Sequence, residues 1–224
     1  MQSISSYKAI VFDCDGVILD SNHIKTEAFM SVVAPYGRKA AEELVRFHQV
    51  NGGVSRYKKF AYFLNEIFPK YGEGCAAPDI DQLLDSYARC VRSGLKRCSI
   101  ALGLSEFREA TRGASWFVVS GGDQSELREV FAERGIDYFF DGGIFGSPDT
   151  KEEILKRELK LGRLQKPALF IGDSRYDHVA ASKVGLDFVF LCGWSEMPGW
   201  RDFVKVNGIR SAADLLSFLK EVEV

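Results

Sequence analysis

The stretch A-I-V-F-D-C-D-G-V-I-L-D-S-N, which runs from Ala9 to Asn22, begins with an apolar run and continues into two closely spaced aspartates. The run Ala9–Phe12 has the length and composition of a strand buried in a parallel sheet. If the extended backbone continues, its two-residue period puts Asp13 and Asp15 on the same side. Two like charges held this close repel each other unless a cation lies between them or one takes up a proton. The pattern predicts a divalent-metal site beside a nucleophile and a proton donor, although D-x-D-G alone is equally typical of an acidic turn.

The composition limits the classes of protein to which the chain can belong. Its 224 residues suffice for one large domain or two modest ones, each with an apolar core. Hydrophobic residues make up 46% and charged residues 27%, with a formal net charge of -2. These values are typical of a soluble globular protein and argue against nucleic acid or an anionic membrane as the main partner. No apolar run reaches the roughly 20 residues that cross a bilayer, and no signal-peptide pattern opens the sequence.

The cysteines indicate a reducing environment. There are five of them, an odd number, and no two form a C-x-x-C pair. We therefore expect neither a disulfide framework nor a structural zinc site, and a cytoplasmic location is the default prediction. Cys14 lies between the two aspartates and is interpreted as a small core-facing residue, because a thiolate beside two carboxylates is disfavoured.

The segment after the first strand has a helical pattern. Over residues 21–97, apolar residues recur at helical spacing and no convincing strand is present. Breaks rich in Pro, Gly or Asn fall at residues 35–37, 51–53 and 69–78. The pattern predicts a bundle of about four helices, inserted as a cap domain over residues 21–97.

The rest of the chain alternates helices with strands, which predicts an α/β fold with a doubly wound parallel, Rossmann-like sheet. Residues 1–20 and 98–224 are assigned to this core domain. The predicted strands are residues 9–12, 116–119, 138–140, 168–171 and 188–191. The predicted helices are residues 104–111, 124–134, 151–161, 178–184 and 212–222, the last with Ser211 as its N-cap.

Polar residues stand where three of the predicted strands end. Asp13, Ser120 and Asp173 each come at or just after the carboxyl end of an apolar run. In an open parallel sheet these ends share one edge, and ligands bind in the crevice outside it. The convergence of three motifs that are distant in sequence favours a functional site over a purely structural role.

Four motifs together carry a family resemblance: D-C-D-G-V-I-L-D-S-N, V-V-S-G-G, Lys151 and G-D-S-R-Y-D. They resemble the haloacid dehalogenase superfamily, and within it the branch of phosphoglycolate phosphatase and β-phosphoglucomutase, in which a helical cap follows the first motif. The resemblance covers nearly the whole chain. It implies a haloacid dehalogenase-like core, an inserted helical cap and a Mg²⁺-dependent phosphatase that forms an aspartyl-phosphate.

The resemblance also implies a role for each motif residue. Asp13 would be the nucleophile that attacks phosphorus, and Asp15 the general acid and then the general base. Ser120 and the Gly121 N–H would hold phosphate oxygens, and Lys151 would add positive charge. Two plainer alternatives stay open, namely Ser120 as a helix N-cap and Lys151 as a solvated residue in the first turn of a helix.

A metal site is implied by the same motifs. Mg²⁺ would be bound by the Asp13 carboxylate, the Asp15 backbone carbonyl and Asp173, which form a hard oxygen ligand set. Asp177 would orient either Lys151 or a metal-bound water, or it would simply open the next helix.

The cap is expected to select the substrate, a small phosphorylated metabolite such as a sugar, sugar-acid or small-alcohol phosphate. Lys25 and Arg56 are the candidate substrate-binding residues, and Arg56 suits a second anionic or hydroxyl group. An exposed helix face explains Arg56, Lys58 and Lys59 equally well, and His48 is interpreted as a structural or surface residue. No membrane or nucleic-acid partner is expected, and the chain is predicted to be a monomer or homodimer.

Two other functions compete with hydrolysis. A phosphomutase would use the same covalent chemistry, but β-phosphoglucomutase relatives have a cap-side histidine ten residues after the acid–base aspartate, where this chain has Lys25. His23 lies two residues earlier and would face nearly the opposite side of a helix. A non-catalytic phosphoacceptor or binding module also combines acids with a parallel sheet, but the cap insertion and Asp15 argue against it.

Overall fold

The computed structural model describes residues 3–72, 74 and 76–222, and Cys75, one of the five cysteines, lies outside this range. Across the described residues a six-stranded sheet, parallel throughout, has the order β3-β2-β1-β4-β5-β6. Its strands are β1 (Ala9–Phe12), β2 (Ser115–Asp123), β3 (Gly143–Ser147), β4 (Ala168–Gly172), β5 (Asp187–Leu191) and β6 (Arg210–Ala212). The predicted doubly wound parallel sheet is confirmed.

Helices cover both faces of the sheet and fill the insertion after β1. The insertion contains α1 (Asn22–Val33), α2 (Arg38–Val50), α3 (Arg56–Tyr62), a π-helical turn (Phe63–Ile67), α4 (Phe68–Tyr71) and α5 (Ile80–Leu95). The later helices are α6 (Leu104–Ala110), α7 (Gln124–Glu133), α8 (Lys151–Lys160), α9 (Arg175–Lys183), α10 (Trp200–Val206) and α11 (Leu215–Val222).

The apolar residues of β1 alternate between two clusters. Ile10 and Phe12 join a large cluster that extends into the helical insertion, whereas Ala9 and Val11 join a smaller one beneath α8 and α9. A strand covered on both faces has no polar side, which explains the uninterrupted apolar run. This sandwich of helices fixes the strand whose carboxyl end carries Asp13.

The insertion is a helical cap with an aromatic centre. The Phe29 ring lies 4.4 Å from the Tyr87 ring and 5.2 Å from the Phe60 ring, and these three residues come from α1, α5 and α3. The predicted break at Pro69 begins too early, because Pro69 stands in the first turn of α4, where its missing N–H is no loss. The predicted helical cap is confirmed, and residues 21–97 remain the proposed boundaries.

The third strand was predicted in the wrong place. Residues 138–140 were expected to form a strand, but Asp137–Phe139 is a 3₁₀ turn and the strand is Gly143–Ser147. The aromatic residues pack into the core without an extended backbone, since Phe139 and Phe140 are buried and Tyr138 is exposed. The true strand is an edge strand that contains two glycines, and its apolar signal is correspondingly weak.

The end of the chain also differs from the prediction. A helix was expected from residue 212 with Ser211 as its N-cap, but Ser211 lies in β6 and the helix begins at Leu215. The Asp214 carboxylate accepts the Ser217 N–H at 2.7 Å and so provides the cap. The sequence also gave no indication of α10, in which Trp200 stacks on Phe190 with ring centroids 5.8 Å apart.

Within the described residues, no helix combines the length and the apolar character needed to cross a membrane.

Candidate active site

Strand register brings the three polar motifs to one edge of the sheet. Phe12 of β1 pairs with Val118 of β2 and with Ile171 of β4. Asp13 therefore follows directly at the edge, and Ser120 and Asp173 lie two residues beyond those two partners. The second strand continues through Ser120 to residue 123, although it was expected to end at residue 119.

The Asp13 carboxylate is buried and held from two sides. Its Oδ1 accepts the Cys14 N–H at 2.7 Å and lies 2.8 Å from the Lys151 Nζ. Burial, with the neighbouring Asp177 charge, raises the pKa of Asp13 to about 7, although Lys151 opposes the shift. Cys14 is itself fully buried in the core, as predicted, and burial raises the pKa of its thiol well above the usual range.

Lys151 lies between two carboxylates. It is the first residue of α8 and is 1% exposed, so the solvated alternative does not apply. Its Nζ donates to Asp177 Oδ1 at 2.5 Å, in addition to its contact with Asp13. Burial alone would lower the pKa of Lys151, but the two carboxylates raise it above its ordinary value. The side chain therefore provides a fixed positive charge beside Asp13.

Asp177 has its oxygens occupied by hydrogen bonds. In addition to the Lys151 contact, its Oδ2 accepts the Ser174 hydroxyl at 2.6 Å and the Ser174 N–H at 3.1 Å. Ser174 caps α9, and Asp177 completes a reciprocal capping box with it. These contacts fit the predicted role of orienting Lys151, and they occur in the first turn of a helix that Asp177 also helps to cap.

A group of three buried acids could hold a cation. One carboxylate oxygen from each of Asp13, Asp173 and Asp177 lies within 4.8 Å of the other two. Burial together with the Asp13 and Asp177 charges raises the pKa of Asp173 well above its usual range. Acids that repel each other so strongly suit a divalent ion, which would neutralise them. Because Asp177 is saturated by Lys151 and Ser174, Asp13 and Asp173 are the better ligands.

The first motif packs tightly against Asp173. The Asn22 Nδ2 donates to Asp173 Oδ2 at 2.7 Å and to the Trp194 carbonyl at 2.9 Å. Gly16 has a φ of +76°, and a Cβ at this position would lie 2.2 Å from Asp173 Oδ2. Only glycine allows this turn and this close approach, which accounts for the Gly of the D-x-D-G motif.

Asp15 is paired with a lysine of the cap. Its Oδ2 accepts the Lys25 Nζ at 2.5 Å, and its Oδ1 accepts the Ser21 hydroxyl at 2.6 Å. Burial alone would raise the pKa of Asp15, but the Lys25 charge and these hydrogen bonds outweigh burial and lower it. Lys25, predicted to bind substrate, is thus in contact with the predicted acid–base residue.

Ser120 does not cap a helix. Its hydroxyl accepts the Gly122 N–H at 3.0 Å, whereas the N-cap of α7 is Asp123, which accepts the Glu126 N–H at 3.1 Å. A hydroxyl that accepts one bond can still donate another. The Ser120 hydroxyl proton is not used in that bond, but the side chain is fully buried and the neighbouring Gly121 and Gly122 line the pocket, so its contact with a phosphate oxygen stays a prediction.

The cap closes over this edge through the loop at residues 51–54. A Cβ on Gly121 would lie 2.1 Å from the Gly53 carbonyl oxygen, so the two backbones approach as closely as glycine allows. A pocket lies between cap and core, and residues of both parts line it, including Asp13, Asp15, Lys25, Arg56, Gly121 and Asp173. Arg56 is 7% exposed and forms an ion pair with Glu126 of α7, so its charge is already partnered.

The same pocket contains two residues whose importance sequence reasoning missed. Lys59 and His48 are 2% and 7% exposed, and Lys59 Nζ lies 2.7 Å from His48 Nδ1. An exposed helix face describes Lys58 but is wrong for Arg56 and Lys59, which point inward. The three-residue spacing of Arg56 and Lys59, which puts them on one side of α3, was the available signal.

Comparison with known families identifies the class of protein. Residues 7–185 match the family described as "Hydrolase: haloacid dehalogenase-like hydrolase". The chain belongs to the haloacid dehalogenase-like hydrolase family. It is accordingly an enzyme, as the motifs predicted. No curated protein matches it significantly.

Solved structures share the fold of this hydrolase at low sequence identity. A hydrolase from Pseudomonas syringae has a TM-score of 0.71 at 18% identity, over 96% of this chain and 98% of that one. A putative phosphoglycolate phosphatase from Lactobacillus plantarum has a TM-score of 0.68 at 20% identity, over 96% and 98%. CbbY from Rhodobacter sphaeroides, in complex with phosphate, has a TM-score of 0.68 at 18% identity, over 93% and 95%.

Proposed function

We propose that this hydrolase is a Mg²⁺-dependent phosphatase that cleaves a small phosphorylated metabolite through an aspartyl-phosphate on Asp13. The observation that carries the proposal is the buried Asp13 carboxylate, 2.8 Å from Lys151 and grouped with Asp173 at the edge of the sheet. A carboxylate nucleophile replaces one difficult hydrolysis by two easier displacements. The phosphate complex of CbbY and the phosphatase from Lactobacillus plantarum support the choice of phosphate chemistry.

Members of this family generally use a divalent metal, and the buried acids fit one. Asp13 and Asp173 would hold Mg²⁺, with the Asp15 backbone carbonyl as a further oxygen ligand. When bound, the ion would reduce repulsion between the carboxylate and the phosphate dianion. The raised pKa values of Asp13 and Asp173 support this assignment, because both acids ionise more readily beside a cation.

The positions of the other site residues around Asp13 suggest a role for each of them. Lys25 lowers the pKa of Asp15, so Asp15 has to take up a proton from solvent as the substrate binds. An Asp13 oxygen then forms the new bond to phosphorus while the bond to the leaving oxygen breaks, and Asp15 gives that oxygen its proton. Asp15, now ionised, then takes a proton from the water that attacks phosphorus. The bond between phosphorus and the Asp13 oxygen breaks, which restores the Asp13 carboxylate and releases inorganic phosphate. Ser120, the Gly121 N–H and Lys151 would hold the phosphate oxygens throughout, and Asp177 keeps Lys151 in position.

A phosphomutase remains the second candidate, since it would use the same first step. The contact between Lys25 and Asp15 favours hydrolysis, because this chain has an ammonium where the mutase relatives have a histidine. A mutase must protect its phosphoenzyme from water until a second hydroxyl arrives. A binding module without turnover is the third candidate, and the full set of acids and Lys151 at one edge argues against it.

The test is a turnover assay with p-nitrophenyl phosphate. We expect many turnovers per enzyme with Mg²⁺ and none with excess chelator, and inorganic phosphate should equal product mole for mole. A screen of sugar, sugar-acid and small-alcohol phosphates would then find the substrate. No turnover of any phosphate ester would refute the proposal, and an isomerised sugar phosphate without free phosphate would favour the mutase.

We further propose that the enzyme acts in the cytoplasm as a monomer or homodimer. We also propose that the cap spans residues 21–97. The helices of the insertion all fall within this range.

A further inference from the structure

The cations on the cap side of the pocket differ in their partners. Lys25 contacts the Asp15 carboxylate and Arg56 contacts the Glu126 carboxylate. Among the described residues, Lys59 makes no ion pair with any acid, and its Nζ forms a hydrogen bond with the ring nitrogen of His48. Lys59 is therefore a buried amine that faces a second base across 2.7 Å.

The surroundings of this pair offer little compensation for a buried charge. The Phe29 ring lies 4.7 Å from the His48 ring, and Lys59 Nζ lies 5.5 Å from the centre of the same Phe29 ring. Burial, reinforced by the charge of Lys25, lowers the pKa of Lys59 to about 7. Burial and the neighbouring lysines also hold the pKa of His48 well below its ordinary value.

An ammonium has three N–H donors, and His48 accounts for one of them. Buried lysines without a counter-charge are rare in proteins, because desolvation of the ammonium is costly. A residue of this kind that lines an active-site pocket is well suited to a ligand that brings the missing negative charge with it.

We propose that Lys59, supported by His48, binds a second anionic group of the substrate. The substrate class is thus a small phosphate ester that also carries a carboxylate or a second phosphate. This inference rests on the proposed phosphatase function, since it names the class of ester hydrolysed. It differs from the expectation for Arg56, whose charge is already balanced by Glu126.

The pair 3-phosphoglycerate and glycerol 3-phosphate tests the proposal, because the two esters differ only in a carboxylate against a hydroxymethyl group. Propane-1,3-diol bisphosphate and its monophosphate form the matching pair for a second phosphate. For at least one pair we expect kcat/KM to be at least about 30-fold higher for the ester that carries the second anionic group, because loss of one partner of a buried charge pair is expensive.

Substitution then assigns that preference to Lys59. Lys59→Met should bring the ratio of the two kcat/KM values to within about threefold, whereas Lys59→Arg should keep much of it. Lys58→Met is the matched control, since Lys58 is exposed on the same helix, and it should leave the ratio unchanged. A preference that survives Lys59→Met would overturn the assignment.

Binding measurements separate this proposal from the proposed function. The Kd values of the four esters are measured by calorimetry with Mg²⁺ on the full chain carrying Asp13→Asn, which cannot turn them over. Equal Kd or equal kcat/KM within both pairs would overturn the second-anion site and leave the phosphatase proposal intact. Tighter binding of the ester with the second anionic group, in either pair, would support the site even if no ester were hydrolysed.

Discussion

The core half and the cap half of the pocket treat a buried lysine in opposite ways. On the core side, Lys151 contacts both Asp13 and Asp177, so its charge has two opposite partners. On the cap side, Lys59 faces His48 and has no acid partner among the described residues. The lysine of the core half is thus balanced before substrate arrives, whereas Lys59 of the cap half has a charge that a ligand can balance. Chemistry common to many esters fits the first half, and selection among esters fits the second.

The largest expected effect comes from substitution of Asp13, the proposed nucleophile in the core half. Asp13→Asn should lower kcat by at least roughly 10⁴-fold, because an amide oxygen is a poor nucleophile and a poor metal ligand. The fold should persist, since asparagine keeps the shape of the side chain. The assay is Mg²⁺-dependent turnover of p-nitrophenyl phosphate, with circular dichroism to verify folding.

Asp202→Asn is the control for this substitution, because Asp202 is exposed in the first turn of α10 and lies outside the pocket. It should leave turnover unchanged. If purified Asp13→Asn retained more than about a hundredth of the activity, a different residue would have to be the nucleophile.

The second test removes the balanced lysine of the core half. Lys151→Met leaves Asp13 and Asp177 buried together without their shared cation, which should destabilise the fold by about 3–5 kcal/mol. Turnover should fall by roughly 10²- to 10³-fold, because a positive charge beside the phosphate is lost. Urea denaturation measures the first effect and steady-state kinetics measures the second.

Lys156→Met is the matched variant on the same helix, since Lys156 makes an exposed ion pair with Glu152 and should change stability by less than about 1 kcal/mol. Equal stabilities for the two variants would show that the Lys151 pairs do not hold the core half together.

The third test concerns the contact at which the halves meet. In Gly121→Ala the new Cβ would lie 2.1 Å from the Gly53 carbonyl oxygen, so the cap loop must move away. We expect kcat/KM to fall by roughly 10- to 100-fold, because small displacements of binding groups are costly for catalysis. Gly113→Ala is the control, as no atom lies within 4 Å of its added Cβ. A fully active Gly121→Ala would mean that this cap position is not needed for turnover.

The core half is predictable from sequence because its signals are local. The first strand is apolar on both faces and ends directly in Asp13, and its parallel neighbours must end at the same edge. The edge strand Gly143–Ser147 escaped prediction because glycines interrupt a short apolar pattern, while the aromatic residues before it imitate a strand. Local pattern therefore identifies central strands better than edge strands.

The cap half is less predictable because its partners are far apart in sequence. Arg56 and Glu126 are 70 residues apart, and neither gives any sign of the other. Lys59 lies in the charged run R-Y-K-K, which favours a solvated helix face, and only the packing of Phe29 and His48 around it reveals its burial. Charged residues are usually exposed, so sequence reasoning places a lysine such as Lys59 on the surface and misses a charge that is buried at a functional site.

The smallest effect, and the sharpest contrast with Lys151, is the pH dependence of stability that Lys59 produces without substrate. The ionisable groups that influence it most are His48, Lys25, Asp15, Lys151 and Asp13. Below pH 7, Lys59 is protonated in both the folded and the unfolded chain, and the folded state bears the whole cost of burying the charge.

Between pH 7 and about 10.5 the folded chain has lost the Lys59 proton while the unfolded chain still holds it, so stability should rise with pH in that window. Lys59 contributes at most about 1.4 kcal/mol per pH unit to the slope of the unfolding free energy against pH, and Lys59→Met should remove this contribution. Urea denaturation in chelator at pH 7, 8 and 9 measures the difference between wild type and variant, with exposed Lys58→Met as the control that keeps the wild-type slope. Parallel stability curves for wild type and Lys59→Met would contradict a buried, unpaired Lys59, because a lysine whose charge stays balanced or hydrated binds its proton equally in both states over this range.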